Sequence, residues 1–295
     1  MKKFFLLGTL LLITLMVNAQ VKVSPKLEKG MKKTYVAEAV TNIANQKPIT
    51  VTTETQFEVT DVTADGYILD IMMTDLKTDA DPNDMMGRVF SLTTEIMKDI
   101  HSVYAIDKDG KVTKILNYEE LKVKIENGMD KLIDGLSLPD GILSKDALKQ
   151  QIMSNITEKS MLQSLQTNTS PIMLNGKTIE TGMQDEFVNQ GLKMKRTYTV
   201  NDDGSIGATS TMNLSKEELK EFVIAQVEQV MPNQAETIRQ NIDMVISSGM
   251  LKMEMTENST YTLNSDGWVK SIDTELNSNT MGAKSTAKTS VRLKE

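Results

Sequence analysis

Three groups of side chains in this sequence have the types and spacing to do chemistry. Asp79, Asp81 and Asp84, with Asn83 among them, set four oxygen-bearing side chains within six residues, the hard donors that calcium takes. Met250, Met253 and Met255 form a Met-x-x-Met-x-Met run. Its Met253 and Met255 share one face of a strand, and thioethers are soft ligands that select Cu(I). His101 is the only histidine, the side chain best suited to pass a proton near neutral pH. Each group also has a plainer reading. An Asp-rich segment is usually a solvated surface loop. Methionine is an adaptable core or pocket residue, and Met72-Met73 and Met85-Met86 show free use of it. A lone histidine without a nucleophile motif serves structure. The plainer readings are adopted: no catalytic residue, metal ligand or cofactor is assigned, and the ligand-binding residues stay unknown.

What the chain lacks narrows the classes further. It has no cysteine, which excludes thiol nucleophiles, thiolate metal sites and lipid attachment at a cysteine. No Gly-x-Ser-x-Gly, His-Glu-x-x-His or phosphate-loop pattern occurs. Carboxylates are plentiful, but aromatics make up only 4% and no local signature marks a glycosidase pair. Asp107-Lys108-Asp109-Gly110 lacks the ligand spacing and distal Glu of an EF-hand. It reads as a tight turn, in which Asp bonds local backbone and Gly accepts positive φ.

At the N-terminus, Lys2 and Lys3 precede an almost wholly apolar run from Phe4 to Val17, and Val17-Asn18-Ala19 offers small residues for cleavage. Residues 1–19 therefore read as a secretory signal peptide cut before Gln20, giving an exported product, periplasmic or extracellular. Without Lys2 and Lys3, 31 basic side chains face 40 acidic ones, a net charge of −9. Such a surface repels nucleic acid. No later apolar run approaches the roughly 20 residues of a membrane span.

The elements that must position these residues alternate between two periods. Thr34–Thr41, Val51–Val62 and Tyr67–Leu76 are strand-like, with Phe57 and Val59 on one face and Tyr67, Leu69, Ile71 and Met73 on another. A polar loop and a short helix, Arg88 to about Lys98, lead to a hairpin of His101–Ile106 and Lys111–Leu116. Leu121, Ile125, Met129, Leu132 and Ile133 then recur at helical spacing. Pro139-Asp140-Gly141 breaks that helix, and two more follow at Lys145–Asn155 and Glu158–Leu165. Strands return at Thr178–Thr181, Leu192–Val200 and Ser205–Asn213. Ser215 and Glu218 form a capping box opening a helix that Pro232 ends. A helix at Gln234–Ile246, stopping at Gly249, precedes strands at Met250–Leu263, Trp268–Asn279 and Lys284–Lys294. Trp268 is expected to cover a hairpin end. Tyr104–Val112 echoes Tyr261–Val269, which a shared hairpin solution explains most simply. One domain over 20–295 is expected, two related β–α halves, 20–170 and 171–295, being the variant of that reading.

The signal ending Asn18-Ala19-Gln20, the early Glu28-Lys29-Gly30-Met31-Lys32, and the Asp-x-Asp-Gly-Lys-Val turn before a Glu-rich helix resemble secreted Bacteroidota proteins of a domain-of-unknown-function family. The order of long hairpins and helix pairs also resembles LolA-like periplasmic lipoprotein carriers. These resemblances bring no catalytic residues. They imply an α+β fold: a strongly twisted, half-barrel-like antiparallel sheet with helices of 117–166 and 215–247 covering its concave face. The expected function is a non-enzymatic exported binding protein holding a lipid or other apolar or amphiphilic ligand between sheet and helices. The alternative is a structural or interaction module of the cell envelope, presenting a sheet edge or the Asp79–Asp84 loop to a protein partner.

Overall fold

A computed structural model describes residues 20–43, 47–97, 100–135, 145–189, 192–230, 235–247, 253–280 and 283–294. The expected signal peptide, the break at Pro139-Asp140-Gly141, Pro232, Gly249 and Met250 lie outside these residues. The first meander comprises β2 (Lys32–Ile43), β3 (Ile49–Val62), β4 (Gly66–Thr78), α1 (Met85–Met97), β5 (His101–Asp107) and β6 (Val112–Ile115). A helical stretch follows: α2 (Tyr118–Gly135), α3 (Lys145–Asn155) and α4 (Glu158–Ser164). The second meander comprises β8 (Gln184–Asn189), β9 (Leu192–Val200), β10 (Ile206–Asn213), α5 (Lys216–Val230), α6 (Ala235–Ser247), β11 (Met253–Leu263), β12 (Val269–Thr280) and β13 (Ala283–Lys294). The short β1 (Gln20–Lys22) and β7 (Thr178–Glu180) pair with each other.

The fold is α+β, built on a large twisted antiparallel sheet. Eleven strands run in the order β6-β5-β4-β3-β2-β13-β12-β11-β10-β9-β8, so one sheet spans both halves of the chain. Within the sheet the meanders join where β2 meets β13, with Tyr35 opposite Leu293 and Ala39 opposite Thr289. Alternation decides which side is inner. Tyr35, Phe57, Leu69, Tyr104, Tyr198, Tyr261 and Ile272 are buried in one cluster that also takes in Ile172, Met173 and Leu174 of the segment after α4. Tyr35 stands edge-on to Phe57 with ring centroids 5.4 Å apart, and its hydroxyl donates to the Val269 carbonyl at 2.7 Å.

The helices sit at the flanks. α1 packs on β4 and α2 on β5, while α4 touches both edge strands, β6 and β8. The two edges of the sheet therefore face each other across one short helix, which requires the sheet to curl. The ends of the helices follow local chemistry. The amide of Gly87 donates to Asp84 Oδ1 at 2.6 Å, which starts α1 three residues earlier than expected. The Glu218 amide donates to Ser215 Oγ at 3.2 Å and the Ser215 amide to Glu218 Oε2 at 2.9 Å, the expected reciprocal cap of α5.

Residues 20–27 form an arm held by two turns of one design. In each, a side-chain oxygen accepts from the amides two and four residues on: Asp107 from Asp109 and Lys111, Asn264 from Asp266 and Trp268. Both turns end on a left-handed glycine, Gly110 at φ +85° and Gly267 at φ +77°. The arm crosses them with Val23 and Leu27 buried. The Lys26 amide donates to the Asp266 carbonyl at 2.8 Å, and Trp268 Nε1 donates to the Lys26 carbonyl at 2.9 Å. Trp268 is 1% exposed, so it does cover the hairpin end, and what it covers it with is the arm.

Candidate functional site

Across the middle of the inner face, two cross-strand rungs run from β11 to β3. One reads Ser259, Thr274, Thr289, Ala39, Val51, and the next reads Glu257, Leu276, Ala287, Thr41, Ile49. Nearly all are small or β-branched. Ala39, Val51, Leu276 and Ala287, with Met73 and Leu76 of β4, are half-buried and belong to none of the three apolar clusters. On one flank a cleft of about 280 Å³ opens between β4 and α1, lined by Met73, Leu76, Thr94 and Met97. On the other, Phe222 of α5 packs against Phe187, Leu192, Met194 and Met212. Glu257 is the one ionisable side chain on these rungs. Burial pushes its carboxyl upward, against the charge of Arg196 and a bond to Asn168.

Beside the rungs lies a buried polar network that sequence reasoning missed. Arg196 of β9 is fully buried beneath the segment after α4. Its Nη1 donates to Tyr198 Oη at 3.0 Å and its Nη2 to the Gln166 carbonyl at 2.6 Å, and its guanidinium lies 4.0 Å from the Phe187 ring centre. Lys177 Nζ and Tyr198 Oη each donate to Asp185 Oδ2 at 2.8 Å. Burial pushes the Asp185 carboxyl up, but Lys177, Arg196 and Tyr198 outweigh it and hold the group below its ordinary range. Burial likewise raises the Tyr198 hydroxyl and lowers the Lys177 ammonium. Two further bonds tie the crossing segment to β10 and β11: Asn168 Nδ2 donates to Ser210 Oγ at 2.8 Å and Tyr261 Oη to the Asn168 carbonyl at 2.7 Å. One signal was available, since Arg196 occupies an inward position of the Leu192, Met194, Arg196, Tyr198 alternation.

The residues singled out from sequence are dispersed. His101 lies on the outer face, Nδ1 2.7 Å from Asp70 Oδ2, with no hydroxyl or thiol nucleophile in that contact. Asp79 Oδ1 accepts from the Thr50 amide, Asp81 Oδ1 from the Asn83 amide, and Asp84 from Gly87, so the loop's carboxylates serve separate stretches of backbone. Among the described residues no three His, Cys, Asp or Glu side chains gather as a metal site. Met253 and Met255 join the cluster under Phe222.

No family model matches the sequence, and no curated protein matches it. Among solved structures the chain is similar to lipovitellin, described for its lipid–protein interactions, at 10% identity and a TM-score of 0.38. That match covers 92% of this chain but 26% of lipovitellin's. It is similar to the S-type phycobiliprotein lyase CPES of Guillardia theta at 7% identity and a TM-score of 0.26, over 89% of this chain and 87% of that one. A porin-like protein of Bacteroides uniformis matches at 11% identity and a TM-score of 0.20, over 89% and 95% of the two chains. The chain thus spans about a quarter of the length of the first of these. Among the described residues no helix is long and apolar enough to cross a membrane.

Proposed function

We propose that this chain is an exported, non-catalytic binding protein that holds an apolar or amphiphilic ligand on the inner sheet face between α1 and α5. The observation that carries the proposal is the half-buried apolar surface of Ala39, Val51, Met73, Leu76, Leu276 and Ala287, which belongs to none of the apolar clusters formed among the described residues. Small side chains leave depth above the strands, and methionines at Met73 and Met97 can repack around a flexible chain. Export rests on the character of residues 1–19. Among the described residues the strongly exposed large apolar side chains are Val62 of β3, Leu116 after β6, Val123 of α2 and Met244 of α6.

Native mass spectrometry and lipid extraction of protein purified from its own envelope fraction test the proposal. A co-purifying apolar molecule is expected. In vitro, a fluorescent fatty acid should bind the wild type, and Ala39→Trp with Ala287→Trp should weaken it at least tenfold while the thermal midpoint is kept. Empty protein, together with tryptophan variants that bind the probe as the wild type does, would rule the groove out.

A further inference from the structure

We propose that Met194, Met212 and Met255 form a thioether site for a soft monovalent ion, Cu(I), on the inner face of β9, β10 and β11. Met212 stands directly opposite Met255 in the β10–β11 ladder. In the β9–β10 ladder the last registered pair is Thr211 with Lys195, so the next residues, Met212 and Met194, also stand opposite. Three methionines thus occupy one rung, and Phe187 of β8 continues it beside Met194. Met253 lies two residues before Met255, on the same face of β11.

The rung is suited to an ion in four respects. Side chains opposite one another in a ladder have Cβ atoms roughly 4.5–5.5 Å apart, and methionine's three rotatable bonds let neighbouring sulfurs converge on one centre. Met194 and Met212 are 1% and 3% exposed, whereas Met253 and Met255 are half-buried, so the rung has a dry floor and an open mouth. Phe187 and Phe222 wall it from water. The charges that follow on the same strand face are of opposite sign: Arg196 comes two residues after Met194 on β9 and Glu257 two residues after Met255 on β11.

The donor set fixes the ion's class. Thioether sulfur is soft and uncharged, so it favours Cu(I), or Ag(I) as its laboratory surrogate, over Zn(II), Ca(II) or Cu(II), which prefer imidazole and oxygen donors. The rung supplies no carboxylate, the chain has no cysteine, and its one histidine lies on β5 in the other meander. The sequence pattern pointed at Met253 and Met255 with Met250. The fold instead brings Met255 two partners from 43 and 61 residues earlier in the chain, Met212 and Met194.

The test is titration of the full mature chain with Ag(I) in chloride-free buffer and with Cu(I) against bathocuproine disulfonate. One equivalent should bind, and excess Zn(II) or Ca(II) should not displace it. Met212→Leu and Met255→Leu, which nearly conserve volume, should each weaken binding at least tenfold, and Met161→Leu on α4 should not. Methyl-¹³C-methionine spectra of the wild type read the site without any substitution: Ag(I) should shift the Met194, Met212 and Met255 methyls together and leave Met161 in place. The proposal fails if the wild type binds no tighter than the Met212→Leu, Met255→Leu double variant. It fails equally if Zn(II) competes, or if the shifted methyls lie elsewhere.

Discussion

Three glycines in left-handed turns offer a graded measurement of how firmly the arm is seated. Gly204 has φ +80°, and a Cβ there would meet nothing within 4 Å. Gly204→Ala should therefore cost only the left-handed penalty, about 1–2 kcal/mol. Gly110 has the same conformation, but its Cβ would lie 3.1 Å from the Pro25 Cγ and 3.3 Å from the Asn175 Nδ2. These are side-chain atoms that can give by a few tenths of an ångström, so Gly110→Ala should cost slightly more than Gly204→Ala. Gly267 is the severe case, since its Cβ would stand 2.5 Å from the Ser24 carbonyl oxygen and 3.0 Å from the carbonyl carbon. Backbone cannot swing aside, so the arm must lift from Trp268 or the turn must distort. Overpacking of that kind adds about 1–3 kcal/mol, for a total of roughly 2–5 kcal/mol. At about 2–4 °C per kcal/mol for a chain of this size, the midpoint of Gly267→Ala should fall several degrees below that of Gly204→Ala. The protein's one tryptophan reports the cause, because Trp268 is buried under the arm: its emission should shift to the red in Gly267→Ala and stay fixed in Gly204→Ala. Equal losses of stability with unchanged emission would show that the arm does not rest on this turn.

Three further outcomes are expected. Asp185→Asn leaves Arg196 and Lys177 without their carboxylate; because Asp185 is a quarter exposed, the loss at pH 7 should be about 2–3 kcal/mol, below the range for a fully buried pair. The folded-state pKa of Asp185 lies below its unfolded value, so its contribution is present above about pH 4 and disappears as pH falls through the folded value. Urea unfolding at stepped pH should then show wild type and variant converging in strong acid; a constant gap down to pH 2 would refute the assignment. Ser215→Ala should cost roughly 0.5–2 kcal/mol and speed amide exchange in the first turn of α5 while exchange in β3 is unchanged. Excess EDTA should leave the thermal midpoint in place, and a fall of several degrees restored by calcium would instead make the Asp79–Asp84 loop a structural site.

Local signals account for most of the elements. Leu192–Val200 and Lys145–Asn155 match β9 and α3 residue for residue, because alternation and helical spacing are properties of short windows. Two strands went unseen for physical reasons. Gln184–Asn189 carries Phe187 as its clearest inward apolar side chain, and the inward Asp185 belongs to the charged network, so β8 shows no alternation to read. Gln20–Lys22 is a strand only because β7 lies beside it. The same limit governs the sites. The methionine rung and the network around Arg196 are assembled by register between strands, and register across separate hairpins leaves no mark in the order of residues.

The pairing of β2 with β13 bears on when this protein can become itself. Every other neighbour in the large sheet is also the next strand along the chain, so each meander can assemble from short-range contacts, quickly and alone. The seam between them is different: it joins residues 34–43 to residues 285–294, nearly the whole length of the polypeptide apart. During synthesis β2 waits as a bare edge until β13 is made, and a chain lacking β13 keeps two long open edges, β2 and β12, where the complete sheet has its centre. The middle of the sheet, not its rim, is thus the part that depends on residues far apart in the sequence.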